Sequence, residues 1–419
     1  MKEKIKVLVL SDHPFAPSGV GTQTRYMIEH LLETGDFSFA CVAGAVAHKD
    51  YKPQKTDKWG EDLIIFPVKG YGDKNTVRSL LRAHKPDILW FMTDPRFWGW
   101  LWEMEDEIRS LVPMIYYHVW DNYPAPTYNR VFYESTDKVV TISKVTDSVV
   151  REVAPNVDVE YLPHAVDPNV FKPYSDEKIS EIRKTNFPNF GEDHFLVFWN
   201  NRNARRKQTG SLIYWFKKFI DKVGHDKATL LLHTDPKDPH GQDLHAILTE
   251  LDLKDKQVLL STDKLPPEHL GALYNAADLT INISDAEGFG LATLESLSCG
   301  TPILVNMTGG LQEQVTDGDS WFGIGIQPSS KAVIGSQQVP FIYEDRLNED
   351  DVVYALEEIY NMSKQERKEL GMKGRAHVEK NYNFKDYKLK WEKVMRDFHE
   401  KHGSWDDRKN YKRFREHTF

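Results

Sequence analysis

Two carboxylates stand eight residues apart in the stretch Ser284-Asp285-Ala286-Glu287-Gly288-Phe289-Gly290-Leu291-Ala292-Thr293-Leu294-Glu295. An apolar run, Leu279 to Ile283, precedes it, so the pattern predicts a strand, a glycine-flanked turn and then a helix. Backbone N–H groups at a helix N-terminus, with the helix dipole behind them, favour a phosphate. Gly288 and Gly290 let a ligand approach the chain closely. Glu287 falls in the turn and Glu295 one to two turns into the helix, where carboxylates can accept from sugar or ribose hydroxyls. The bland alternative is a plain strand–turn–helix carrying two solvated carboxylates.

A second chemistry-bearing stretch is Asn200-Asn201-Arg202-Asn203-Ala204-Arg205-Arg206-Lys207-Gln208, which follows the apolar run Phe195 to Trp199. Fixed positive charge of this kind suits a departing diphosphate; the alternative is a solvated basic loop. Nearer the N-terminus, Ser18-Gly19-Val20-Gly21 is a glycine-bearing turn between a strand and a helix. A Gly-x-Gly alone equally describes a tight turn. His118 ends an apolar run, in Tyr117-His118-Val119-Trp120-Asp121, and a lone histidine there serves structure as readily as function.

The stretch from Ser284 to Val305, with its two glutamates, closely resembles the signature of the retaining glycosyltransferase family 4, which has the GT-B fold. The resemblance implies that Glu287 contacts the donor sugar and Glu295 the nucleotide ribose. It sets the amides of Gly288, Phe289, Gly290 and Leu291 toward the diphosphate and sugar. Arg202 and Lys207 match the family's Arg and Lys that neutralise the diphosphate, although Asn201 stands where glycine is usual. Arg205 and Arg206 are extra cations, either of which could share that role. Gly19 and Gly21 resemble the family's glycine-rich loop, and His118 matches a histidine close to the transferred sugar. Val139 to Lys144 and Leu162 to Phe171 resemble further family segments, with His164-Ala165 where Asn-Gly is usual. The matches span about residues 7 to 310. They imply transfer from a UDP-, GDP- or ADP-sugar, with retention of configuration, no cofactor and no essential metal. They leave the acceptor open among saccharides, lipid carriers, small molecules and modified nucleobases. An epimerase or hydrolase on the same fold, or a non-catalytic nucleotide-sugar binder, are the rival readings.

The elements that must position these residues read as two α/β series. Apolar runs near residues 5–10, 37–43, 63–68, 86–91, 112–117 and 138–142 alternate with helical spacing over 22–32 and 76–84. A linker is expected from Leu162 to about Pro188. A second series follows, with strands near 195–199, 228–233, 258–260, 279–283 and 302–306. Its helices fall at 209–223, 243–251, 267–276 and 292–298. Residues 321–342 read as irregular, with room for a hairpin. Two facing Rossmann-like domains with a cleft between them are expected: 1–170 for the acceptor and 171–394 for the donor. A helix at about 395–419 should pack back on the first.

The composition is that of an ordinary folded protein. The 419 residues are 40% apolar and 12% aromatic, with a net charge of −9. That charge argues against a surface built to coat nucleic acid. Mean hydropathy is −0.55, and no run is long enough to span a bilayer. Any membrane contact would be peripheral. The N-terminal apolar run, interrupted by lysines, does not read as a signal peptide. The two cysteines, Cys41 and Cys299, lack metal-ligand spacing, and a reducing, cytoplasmic setting is expected. The aromatic cluster Phe97-Trp98-Gly99-Trp100-Leu101-Trp102 reads as packing first and as a stacking wall for an acceptor second.

Overall fold

The computed structural model describes residues 3–254 and 256–411, and the chain divides into two compact units. Unit 1 comprises residues 1–164, 337–339 and 385–419, and unit 2 comprises 165–336 and 340–384. The divides therefore fall at 164/165 and 384/385, against the expected 170/171 and 394/395. Residues 412–419, at the end of the expected C-terminal helix, lie outside the described residues.

Unit 1 is built on an eight-stranded sheet. Its strands are β1 (Ile5–Asp12), β2 (Phe37–Gly44), β3 (Gln54–Lys55), β4 (Leu63–Pro67), β5 (Ile88–Thr93), β6 (Met114–His118), β7 (Lys138–Thr141) and β8 (Val159–Tyr161). Their spatial order is β3-β4-β2-β1-β5-β6-β7-β8, parallel throughout except for the antiparallel β3. Residues of β5 and β6 are buried without alternation. A parallel sheet covered by helices on both faces demands this, and it explains the continuous apolar runs in the sequence. Ser18 caps the helix Gly19–Glu33, accepting from the Gly21 amide, and Ser143 caps Lys144–Val153 in the same way.

Unit 1 is completed by the helix Phe384–His402. Its apolar face begins at Tyr387 and continues through Trp391, Val394, Met395 and Phe398, all buried. Trp391 lies edge-on to Trp90 and Tyr117, with ring centroids 5.8 and 4.9 Å away. Burying a ring of that size stabilises by about 1.5–3 kcal/mol or more.

Unit 2 holds a six-stranded parallel sheet. Its strands are β9 (Phe195–Asn200), β10 (Ala228–His233), β11 (Val258–Ser261), β12 (Leu279–Asn282), β13 (Ile303–Asn306) and β14 (Gly323–Ile326). The order β11-β10-β9-β12-β13-β14 is that of a doubly wound nucleotide-binding sheet. Its core runs through Phe195, Val197, Trp199, Leu212, Phe216, Phe219, Leu279 and Ile281.

Two segments depart from the sequence reading. The expected linker contains the helix Asp176–Asn186, capped by Ser175. None of its residues is buried, so it carries no periodic apolar signal. The segment 321–342 does hold the start of a hairpin, as the sequence allowed, but it also forms a strand of the main sheet. It supplies β14 and then an antiparallel hairpin of β15 (Ser330–Ile334) and β16 (Ile342–Arg346). Among the described residues, no helix is long and apolar enough to cross a membrane. Cys41 and Cys299 are buried free thiols.

Candidate active site

In the second sheet, β9 and β12 are neighbours, and β9 leads toward β10 on one side while β12 leads toward β13 on the other. The connecting loops that leave their carboxyl ends run to opposite sides of the pair, which makes this the switch point at which ligands bind in such sheets. These two loops carry the residues singled out in the sequence. The loops are locked together, because the Asp285 amide donates to the Arg206 carbonyl at 2.8 Å.

Lys207 and Glu287 form a buried ion pair through Nζ and Oε2. The Arg206 guanidinium donates to the Ala286 carbonyl and stands 3.9 Å from Glu287 Oε1. Asn282 Nδ2 donates to Glu287 Oε2 at 3.4 Å. Burial alone would raise the Glu287 pKa, but the Lys207 and Arg206 charges outweigh it and hold the carboxyl below its ordinary value. Glu287 is therefore an anion wedged between two cations at the mouth of the turn.

The turn itself is fixed by its carbonyls. Gln314 Nε2 donates to the carbonyls of Phe289 and Gly290 at 2.6 and 3.1 Å, and Thr293 Oγ1 donates to Gly290 at 2.8 Å. Gly290 has φ of +91°, and a Cβ there would come 2.5 Å from Leu311 Cδ2. Only glycine serves at that point. The helix Leu291–Ser298 then begins, and the N–H groups of its first turn, which have no intrahelical acceptor, stand at the loop. Glu295 accepts from the Tyr274 hydroxyl at 2.7 Å, and Asn200 Nδ2 donates to the same hydroxyl at 2.9 Å. Burial pushes the Glu295 carboxyl up to about 7, although the Tyr274 bond works the other way.

The remaining arginines have their own anionic partners. Arg202 holds Asp238 by two hydrogen bonds, of 2.6 and 3.1 Å, and also meets His240 at 2.7 Å. That pairing pushes the Asp238 carboxyl down to about 2. Arg205 pairs with Glu344 of β16, which also takes Arg346. Arg346 in turn lies 3.2 Å from Asp285, and Gln208 Nε2 donates to Asp285 at 2.6 Å. Burial raises the Asp285 carboxyl to about 6 against these partners. Of the two extra cations, then, Arg206 is the one gathered with Lys207 at Glu287.

Lys207 and Glu287 are in direct contact, and Arg202, Gly288, Phe289, Gly290, Leu291 and Glu295 lie in the same unit on the loops after β9 and β12 and the helix that follows. Gly19 and Gly21 lie elsewhere, in the first turn of the helix Gly19–Glu33 of unit 1. The Gly21 amide is already given to Ser18, and a Cβ on Gly21 would come 2.7 Å from the His13 carbonyl. That glycine is required by packing of its own turn. His118 calls for a correction. Its ring is fully buried in unit 1, with Nδ1 at 3.0 Å from the Tyr116 hydroxyl and Nε2 at 2.8 Å from the Tyr133 hydroxyl. Burial pushes its pKa down to about 3, so it is a neutral core residue with both nitrogens engaged. Trp98 and Trp102 are also core, flanking Phe91 at 5.6 and 5.5 Å.

Sequence reasoning missed Tyr274, Asp238, Gln314, Glu344 and Arg346. Each arrives from a distant segment with no motif of its own. The loop after β10 carries Asp238, which holds Arg202.

Residues 189–377 match the family described as glycosyl transferases group 1. The matched residues fall almost wholly within the second unit, and the fold is GT-B. Among curated proteins, it is 22% identical over 246 residues to N-acetyl-alpha-D-glucosaminyl L-malate synthase of Bacillus anthracis, covering 58% of this chain and 60% of that protein. It is 40% identical over 77 residues to D-inositol 3-phosphate glycosyltransferase of Acidothermus cellulolyticus, 18% of this chain and 17% of that one. The chain thus spans less than two thirds of these relatives' length. Among solved structures, sucrose-phosphate synthase of Thermosynechococcus elongatus superposes with a TM-score of 0.74 at 17% identity, covering 94% of this chain and 99% of that one. Anabaena HepE, crystallised with UDP and glucose, gives 0.67 at 16% identity over 94% and 100% of the two chains.

Proposed function

We propose that the protein is a retaining glycosyltransferase that binds a nucleoside-diphosphate sugar at the β9/β12 switch point and transfers the sugar to an acceptor hydroxyl. The observation that carries this is the gathering of Lys207 and Arg206 on Glu287, beside the amides that open the helix Leu291–Ser298. A diphosphate placed there meets two cations and a helix N-terminus, while Glu287 and Glu295 are left to accept from sugar and ribose hydroxyls. Support for a uridine donor comes from HepE, which was solved with UDP-glucose as well as with UDP and glucose.

In this reading the bond between the anomeric carbon and the phosphate oxygen breaks first. Its electron pair goes to the diphosphate, whose growing charge is met by Lys207, Arg206 and, after release from Asp238, Arg202. Lys207 and Arg206 are already in place for this, whereas Arg202 must first exchange its carboxylate partner. The acceptor oxygen attacks from the face that the phosphate leaves, and its proton passes to the departing phosphate oxygen. Configuration is retained with no covalent intermediate. The side-chain cations and the helix dipole serve the role that a divalent metal plays elsewhere, so no essential metal is invoked.

The test is a thermal-shift panel of UDP-, GDP- and ADP-sugars, with and without EDTA, on the wild type and Lys207→Met, followed by NMR of the product's anomeric proton. Stabilisation by one nucleotide class, lost in the variant and unchanged by EDTA, together with a retained anomer, is the expected result. An inverted anomer, or turnover that survives in Lys207→Met, would overturn the reading.

A further inference from the structure

The hairpin of β15 and β16 is a two-stranded sheet of its own and adds no strand to the six-stranded one. Yet β16 carries three successive charged residues, Glu344-Asp345-Arg346, and its two carboxylates are 1% and 4% exposed. Burying charge is costly unless it is paired. Each of the three meets a different loop at the carboxyl ends of the main sheet. Glu344 accepts from Arg205, in the loop after β9. Asp345 accepts from Thr308 Oγ1 at 2.8 Å, in the loop after β13. Arg346 Nη1 lies 3.2 Å from Asp285 Oδ2, in the turn after β12. The backbone adds to this: the Asp345 amide donates to the Asp285 carbonyl at 2.8 Å, and Asn306 Nδ2 donates to the carbonyls of Ser284 and Asp345 at 2.9 and 2.8 Å.

This network grips the chain on both sides of Lys207. Before it, Arg205 is held by Glu344, and the Arg206 carbonyl by the Asp285 amide. After it, Gln208 has φ of +56°, left-handed backbone that is uncommon for a residue with a side chain. Its amide is fixed at both ends, with Nε2 donating to Asp285 at 2.6 Å and Oε1 accepting from Ser211 Oγ at 2.8 Å. Arg346 joins the two carboxylates that do the holding, since its Nη2 donates to Glu344 while its Nη1 faces Asp285.

Resting on the donor site proposed above, we propose that Arg346 is a positioning residue for the transfer: by tying Glu344 to Asp285 it fixes Arg206 and Lys207 where they meet the leaving diphosphate. Cations lower that barrier most when they are held in place before the bond breaks. Arg205 and Arg346 are balanced by Asp285 and Glu344, so the network supplies position rather than net charge. Arg346 is not itself a phosphate ligand, because turning away would strip a partner from two buried carboxylates. The groups facing Asp285 are Gln208, Arg205 and the Arg206 carbonyl from the loop after β9, and Glu344, Arg346 and the Asp345 amide from β16. Burial raises the Asp285 carboxyl to about 6, while Gln208, Arg346 and Arg205 lower it. Protonating Asp285 removes its charge from the Arg346 tie, so kcat should fall as pH drops through about 6.

Nucleotide release from UDP-, GDP- and ADP-glucose by the full chain, followed across the acid and neutral range, tests this. Arg346→Met should lower kcat about tenfold or more and change the donor KM by less than about threefold. Its acid limb in kcat should move upward by about half a pH unit or more, because one influence that lowers the Asp285 pKa is gone. Asp285→Asn should have no such limb. Arg346→Lys keeps the charge without the fork that serves two carboxylates, so it should recover Tm and not kcat. The Glu295 titration falls on donor affinity, so kcat at saturating donor reads Asp285 apart from it. An unchanged kcat and limb in Arg346→Met, a limb that survives in Asp285→Asn, or full kcat in Arg346→Lys overturns the inference. Release that Lys207→Met abolishes and Arg346→Met leaves intact refutes the positioning role alone. Release from none of the three sugars by the wild type refutes the donor reading, and the positioning role with it.

Discussion

Replacing Lys207 with Met removes one partner of a buried ion pair and leaves the other in place. Lys207 and Glu287 are 7% and 8% exposed. Breaking such a pair from one side costs about 3–5 kcal/mol, because the remaining charge stays desolvated. Arg206 at 3.9 Å and Asn282 at 3.4 Å still attend Glu287, so the lower figure, about 3 kcal/mol, applies. For a unit of this size that lowers Tm by roughly 6–12 °C. Turnover should fall by about 10²- to 10³-fold, the loss seen when one fixed donor to a developing anion is removed. The two losses separate in the double variant Lys207→Met/Glu287→Gln. Neutralising Glu287 should recover most of the stability and none of the activity. Differential scanning calorimetry and a donor-consumption assay measure the pair. A double variant no more stable than the single one would refute the claim that an uncompensated Glu287 causes the loss.

Further outcomes follow from the same geometry. Glu295 titrates at about 7, so donor affinity should fall as pH drops through 7 and the carboxylate is protonated; calorimetric titration between pH 5.5 and 8.5 should show this, and Glu295→Gln should flatten the profile. Tyr274→Phe removes a bond that lowers that pKa, so the midpoint should move upward. Because the folded pKa of Glu287 is depressed, the stability it contributes is present above its unfolded value and lost as pH falls through the folded one. Wild type should therefore lose more Tm than Lys207→Met/Glu287→Gln as pH falls below about 4.5. Gly290→Ala forces a side chain into left-handed backbone against Leu311, which should cost at least about 1–3 kcal/mol and weaken nucleotide binding.

The sheets were legible because their strands are buried on both faces, so Ile88–Met92 and Phe195–Trp199 are unbroken apolar runs. What escaped has no such constraint. The helix Asp176–Asn186 buries nothing, and β3 is two exposed residues. At the candidate site, the loops after β9 and β12 were legible because each is a contiguous strand–turn–helix whose chemistry is local. Their supports were not. Asp238 reaches Arg202 from the loop after β10, Tyr274 reaches Glu295 from the helix Pro267–Ala276, and Glu344 reaches Arg205 across 139 residues of chain. His118 misled for a related reason. A histidine at a strand end looks the same in sequence whether its ring meets a ligand or two tyrosines.

The return of the helix Phe384–His402 to unit 1 also sets an order of assembly during synthesis. Unit 2 is nearly continuous in the chain, so it can complete its sheet once residue 384 has left the ribosome. Unit 1 cannot, because Trp90 and Tyr117 must wait for Trp391 to cover them. The half translated first is therefore the half finished last, and it spends the interval with aromatic surface open to solvent. Nascent chains of this protein should depend on chaperones most in that window, and a stop codon just after residue 384 should spoil the N-terminal half while sparing the one beside it.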